Sequence, residues 1–306
     1  MRRHFLAPRV AVITTIVSMC VLGTGVAKAT PPSGMIAFTD LTRTQAVEGA
    51  SVPIKIGTAL VSGSYTLDPG GETGWRRLPG ATILSVNKGT MTVRRAAGCS
   101  TKDYAAGQAS VLPGGTYLVQ NSGKEPLEFF GVFINQAVAV PKPLVEGPTA
   151  ATPAGCPGFR AASAAPSGVS LTSNQVAKMV PGMFGGGAIL NIKPGMDVFA
   201  DYLDFYPGFS TGWLTHLPAV NIVSGGEISY VMARDGKCDT SEKYHTGQGF
   251  YHPAHRHMAF NAGKDHMFIT SMYFNLPHEP AAPVIGNTIT AVDFTQAPPM
   301  DCPRLR

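Results

Sequence analysis

Apolar residues in this chain come in short runs. Those at 81–86 (ATILSV), 90–93 (TMTV) and 127–133 (LEFFGVF) are rich in β-branched and aromatic residues, and glycine, asparagine or proline bounds them. The runs at 220–223 (VNIV), 227–231 (EISYV) and 266–274 (HMFITSMYF) repeat the pattern further along. Runs of this length and composition predict strands. The stretch from Ser173 to Met183 is expected to hold one short helix, and no long helical period appears. Composition agrees: 35 glycines and 25 prolines among 306 residues, with 14% charged, suit short strands and many turns. The fold class expected is all-β.

The two sets of runs belong to a duplication. Gly71-Glu72-Thr73-Gly74-Trp75 matches Phe209-Ser210-Thr211-Gly212-Trp213, and Leu78-Pro79 answers Leu217-Pro218. Cys99 answers Cys238, Gly107-Gln108 answers Gly247-Gln248, Pro113 answers Pro253, and Asn121 answers Asn261. Cys156-Pro157 answers Cys302-Pro303, and Leu41-Thr42 with Gln45 answers Leu171-Thr172 with Gln175. From Gly74 to Cys156 the offset grows only from 138 to 146, so order is kept throughout. So long a period marks a duplicated domain; solenoid units are shorter. The expected organisation is an export segment over 1–29, a first domain over 30–140 with a C-terminal clasp to about 158, a Pro/Ala-rich connector over 141–166, and a second domain over 167–306.

The export segment changes the reading of charge. Arg2, Arg3 and Arg9 precede an uncharged stretch from Val10 to Ala27, and Ala27-Lys28-Ala29 supplies a small-x-small cleavage site. The apolar stretch is broken by Thr14, Thr15, Ser18, Gly23, Thr24 and Gly25, which suits a bilayer span poorly, so no stable membrane insertion is expected after cleavage. Cleavage lowers Lys plus Arg from 24 to 20 against 19 acids. The mature chain is then close to neutral, and a nucleic-acid partner is not expected.

Export implies an oxidising compartment, and four cysteines remain after cleavage. Three pairings are possible. The repeat favours Cys99–Cys156 and Cys238–Cys302, one clasp per domain. No C-x-x-C spacing suggests a redox or zinc site.

With these residues in view, the chain resembles the cupin superfamily, in its secreted actinobacterial two-domain form. Gly74-Trp75-Arg76-Arg77-Leu78-Pro79-Gly80 resembles the first cupin motif, roughly Gly-Trp-His-x-His-Pro-Gly. Gly107, Pro113, Gly115 and Asn121 resemble the second. The second copy offers Gly212-Trp213-Leu214-Thr215-His216-Leu217-Pro218, then Gly247, Pro253, His257 and Asn261. The resemblance implies two β-barrel or jelly-roll domains in tandem, each around a ligand cavity. Metal-binding members use two histidines and a glutamate from the first motif and a histidine from the second. In the first copy those histidine positions hold Arg76, Leu78 and Tyr117, so no metal is expected there. In the second copy Leu214 replaces one histidine, His216 and His257 remain, and the glutamate position falls near Val220 or Asn221.

All seven histidines beyond the export segment lie between His216 and His278, with His252, His255 and His257 the densest group. His255 and His257 are two apart, so an extended chain points both to one side. With His216 they form a candidate site for one divalent metal (Zn, Fe, Mn or Cu) in the C-terminal domain. The bland alternative puts His252 and His255 on a wet barrel rim. Glu227, Asp201 and Asp204 are possible carboxylate donors that no pattern places inside. Arg76, with Tyr117, is a candidate grip on an anionic ligand, or else pairs internally. Trp213, like Trp75, either stacks on a ligand or anchors a turn.

Three functional readings follow. One is a secreted small-molecule-binding protein, with a metal in the second barrel only. Another is a metal-dependent, dioxygenase-like oxidoreductase in that barrel. The third is a non-catalytic structural or sensing module of the cell envelope. A homo-oligomer is compatible with all three.

Overall fold

The computed structural model describes residues 33–156, 159, 165–182, 188–234, 237–278 and 292–293. The expected export segment, Cys302 and the side chain of Cys238 lie outside them. The first copy contributes β1 (Ile36–Ala46), β2 (Ala50–Pro53), β3 (Ala59–Glu72), β4 (Arg76–Leu78), β5 (Thr82–Lys88), β6 (Thr90–Arg95), β7 (Ser100–Ala105), β8 (Gln108–Leu112), β9 (Gly115–Asn121) and β10 (Leu127–Gln136). The second follows the same order with β11 (Ser167–Met179), β12 (Ile189–Ile192), β13 (Asp197–Phe205), β14 (Ser210–His216), β15 (Ala219–Gly225), β16 (Glu227–Arg234), β17 (Lys237–His245), β18 (Gln248–His252), β19 (His255–Phe260) and β20 (Met267–Leu276). A short β21 (Val292–Asp293) pairs with the end of β14. One 3-10 turn, Ala97–Cys99, is the only helical element among the described residues.

The copies interlock. β1 does not stay with β3 of its own copy; it pairs antiparallel with β13 of the second, with Asp40 opposite Asp201 and Gln45 opposite Asp197. β11 makes the reciprocal move onto β3, with Lys178 opposite Ala59. Each exchanged strand also touches its own copy in parallel, Gln45 beside Gln108 and Lys178 beside Gln248. The ring β1–β13–β20–β15–β18–β11–β3–β10–β5–β8 therefore closes on itself with ten strands. Closure leaves no free edge in this layer. The short pair β2–β12 also joins the two copies.

These pairings correct two expectations. The stretch beginning at Ser173 is part of strand β11, not a helix. Its backbone groups are satisfied by β3 and β18, and Ser173 Oγ accepts the Ser64 amide at a register shift, so tertiary pairing overrides a weak local signal. The pairings also set Gln45 in correspondence with Lys178 rather than Gln175, which shifts that part of the repeat by three residues.

The central ring strands β5 and β15 are buried on both faces, so every residue of 82–86 and 219–223 is buried, including the polar Thr82, Ser85 and Asn221. One face packs into a core shared by both copies, where Leu60, Ile83, Val111 and Val132 meet Val198, Val220, Ile222 and Phe274. The other face packs into a separate core for each copy. In the first it meets the sheet of β4, β9, β6 and β7 around Tyr65, Val93 and Phe129. In the second it meets the sheet of β14, β19, β16 and β17 around Leu203, Tyr230 and Phe250. Each copy is thus a two-layered β-barrel, and the two stand back to back across the shared core. A buried ion pair crosses one seam: Arg43 Nε on β1 donates to Asp197 Oδ2 on β13 at 2.9 Å.

Two outcomes follow. Shared core and exchanged strands should unfold together, so calorimetry is expected to show one transition. Ile222→Ala should lower the stability of the whole chain by about 2–5 kcal/mol; two resolved transitions, with only one shifted, would contradict this. Cys99 and Cys156 form a disulfide across a sequence separation of 57. Cys156→Ser should lower the denaturant midpoint by an amount equivalent to about 4 kcal/mol in the chain-entropy account.

Candidate metal centre

The two Gly-Trp turns share one construction. Gly74 and Gly212 take left-handed backbone angles, φ 67° and 64°, which only glycine adopts readily. Thr73 and Thr211 each accept an amide from the facing strand, Val119 at 3.0 Å and Ala259 at 2.9 Å. Asn121 and Asn261 each donate to two backbone carbonyls, Leu67 and Glu125 in one copy and Phe205 and Asp265 in the other. These contacts fix how β14 lies on β19, and β4 on β9. The glycine kink turns Trp213 onto the outer side of its sheet, against Val231, Met258 and Phe260. Trp213 is fully buried there, on the face opposite the histidines.

The inner face of that sheet carries the histidines. His216 lies opposite His255, and Leu214 lies opposite His257. On β19, His255 and His257 share a face with Ala259, which belongs to the second copy's core. One ligating nitrogen from each of His216, His255 and His257 lies within 4.8 Å of the other two. His252 ends β18 one short turn before His255, on the same face as core residue Phe250. Its ring centroid is 5.0 Å from that of His255, 5.6 Å from that of His257 and 6.0 Å from that of His216. At 1% exposure His252 is inside the barrel, not on a wet rim.

Backbone carbonyls set the tautomers. His216 Nδ1 lies 2.5 Å from the Leu217 carbonyl, and His255 Nδ1 lies 2.6 Å from that of Pro253. A carbonyl only accepts, so each Nδ1 carries the proton and each Nε2 keeps a lone pair for a metal. Burial holds all four imidazoles below their ordinary pKa. His216 is brought down to about 4, His255 is lowered, and His252 and His257 lie well below the usual histidine range, with the neighbouring rings adding to the shift. At neutral pH the cluster is therefore uncharged, the state a metal needs.

Of the acids, Glu227 is engaged at the edge by Lys243 and His245, and Asp204 by His266. Asp201 is fully buried in the barrel wall; burial first, and Asp201 second, raise the pKa of Tyr273. Tyr273 borders the centre, 5.8 Å from the His216 ring. Asp40 reaches the same wall from the first copy's β1, and burial raises its pKa to about 6.

The same positions in the first copy hold different side chains. Matching pairings place Leu78 where the second copy has His216, Gly115 where it has His255, and Tyr117 where it has His257. The repeat offset places Leu112 where it has His252. The Tyr117 ring covers Gly115 so closely that a Cβ there would meet its hydroxyl at 2.8 Å, and Tyr117 Oη donates to the Pro113 carbonyl. Arg76 is buried and donates to the Thr73 and Gly147 carbonyls, fastening the 142–149 segment across the barrel.

No protein-family model and no curated protein matches the chain. Among solved structures, a tryptophan variant of Bacillus subtilis oxalate decarboxylase is similar at 15% identity and a TM-score of 0.35, over 83% of this chain and 78% of that one. A structure of the same enzyme from work on its Mn(II) centres gives 15% and 0.32, over 78% of each chain. AerE from Microcystis aeruginosa gives 11% and 0.29, over 81% of this chain and 98% of its own. Likeness at this level carries no argument about chemistry.

The lowered histidines predict acid sensitivity of the metal-free chain. An unfolded histidine protonates near pH 6.5 while folded His216 resists until about pH 4, so stability is full above pH 6.5 and is lost as pH falls toward 4. His216 alone accounts for roughly 3 kcal/mol. Asp40 acts with the opposite sign, stabilising at low pH and losing that effect as pH rises through about 6. Urea midpoints between pH 7 and 4 should therefore fall less steeply in His216→Leu than in the wild type. Equal slopes would contradict the burial of a neutral His216.

Proposed function

We propose that this is an exported, cupin-like two-barrel protein whose second barrel holds one divalent transition metal on His216, His255 and His257 and binds a small molecule beside it. One observation carries the reading: three neutral imidazoles converge within 4.8 Å inside a barrel, two of them with the tautomer fixed by a carbonyl. The buried Nδ1 of His257 has no hydrogen-bond partner among the described residues, as suits a side chain whose polar contact comes from outside the chain. The Cys99–Cys156 disulfide supports export to an oxidising compartment.

A catalytic reading is favoured by the number of protein donors. Three imidazoles leave coordination positions for substrate or dioxygen, and a bound metal supplies Lewis-acid or redox chemistry there. Tyr230 and Tyr273 border the cluster as neutral phenols, held so by burial. They would wall off solvent and present hydroxyl groups to a ligand.

Elemental analysis of protein expressed with ample metal tests the site. The wild type is expected to carry about one transition metal per chain, and His216→Ala and His257→Ala to carry far less. A metal-free wild type would refute the reading. Full retention in both variants would move the site elsewhere.

A further inference from the structure

His252 is unusual among buried polar residues. Its side chain is 1% exposed, and both ring nitrogens lack a hydrogen-bond partner among the described residues. An unmet buried polar group is costly, so such groups are rare without a purpose. Packing does not demand an imidazole here, because the equivalent place in the first copy is filled by Leu112, fully buried. His252 lies beside the cluster, with its nitrogens just outside the 4.8 Å set formed by those of His216, His255 and His257. Tyr230 meets the ring edge to face at 4.7 Å, Phe250 lies 4.7 Å away, and the three other histidines complete its surroundings at 5.0–6.0 Å. Across the strand pair it faces Ala219, a residue too small to occupy it.

We propose that His252 is a fourth protein ligand of the metal, so that the centre is held by four neutral imidazoles from β14, β18 and β19, and that its remaining open position takes an anion. This rests on the metal-binding reading above. The anion follows from charge. Four imidazoles bring no negative charge to a dipositive ion, and the donor cluster contains no carboxylate. Asp201, the buried acid of the barrel wall, lies on β13 rather than on the strands that carry the four imidazoles. At a few ångströms in a buried site, the attraction between such an ion and a small anion is screened far less than in water. A small carboxylate or inorganic oxyanion is thus favoured over a neutral ligand of the same size.

The test uses the full chain loaded with Cu²⁺. Pulsed electron paramagnetic resonance counts the coordinated imidazoles, and chelator competition gives the affinity. Four imidazoles are expected in the wild type. Three are expected in His252→Leu, which copies the first copy's side chain, with affinity lower by at least about tenfold. An unchanged count and affinity in folded His252→Leu would overturn the proposal. So would a wild-type count of three, which needs no variant. If His216→Leu loses copper while His252→Leu keeps it, the fourth ligand falls and the metal site stands; if the wild type binds none, both fall. Azide titration of the copper-loaded wild type should give a saturable charge-transfer band, and its absence would overturn the anion position.

Discussion

Neither copy completes its own ring-side sheet. β1 crosses to β13 and β11 crosses to β3, and on these two antiparallel seams the rest of the molecule depends. They close the ten-strand layer, so no edge is left to recruit a foreign strand. They set one face of that layer on the shared core and the other on the separate core of each copy, so one set of strands serves three cores. They also place a residue of the first copy, Asp40, in the wall of the second barrel. The histidine centre thus sits in a barrel that the second half of the chain does not build alone.

Within this frame the copies keep one backbone and differ in side chains. The Gly-Trp kink, the threonine that accepts an amide across the sheet and the asparagine that ties two carbonyls are present twice, with nearly equal distances. What faces inward differs. In the first copy Leu78, Leu112 and the Tyr117 ring over Gly115 fill the space, and Arg76 uses its donors on backbone carbonyls. In the second the same four places hold imidazoles. A duplicated scaffold has kept its turn chemistry in both halves, and among the described residues the clustered histidines lie in the second.

Burial does two things to that donor set. It keeps the imidazoles neutral, and thereby ready to bind a cation without first losing protons. It also takes their nitrogens out of bulk water, so the unpartnered nitrogens of His252 and His257 are open to a guest. The tyrosines that line the cluster are neutral for the same reason, and no opposite charge is built into the donors themselves.

The chain's order of residues determined the duplication, the strand-rich character and the turn chemistry, because these depend on local pattern: β-branched runs, a left-handed glycine, a side chain bonding its neighbours. It also marked His216, His255 and His257, since two-residue spacing on a strand puts side chains on one face. Tertiary structure alone decided the strand exchange, because β1 and β11 have equivalent partners in either copy and only assembly of the shared core selects between them. It made a strand of the stretch after Ser167, whose own propensity is weak. It drew His252 inside, since the direction of a residue at a strand end depends on the turn that follows and the layer that covers it. The placement of Asp201 in the barrel wall was likewise invisible, because an acid in an alternating strand faces the core or solvent according to which sheet the strand joins.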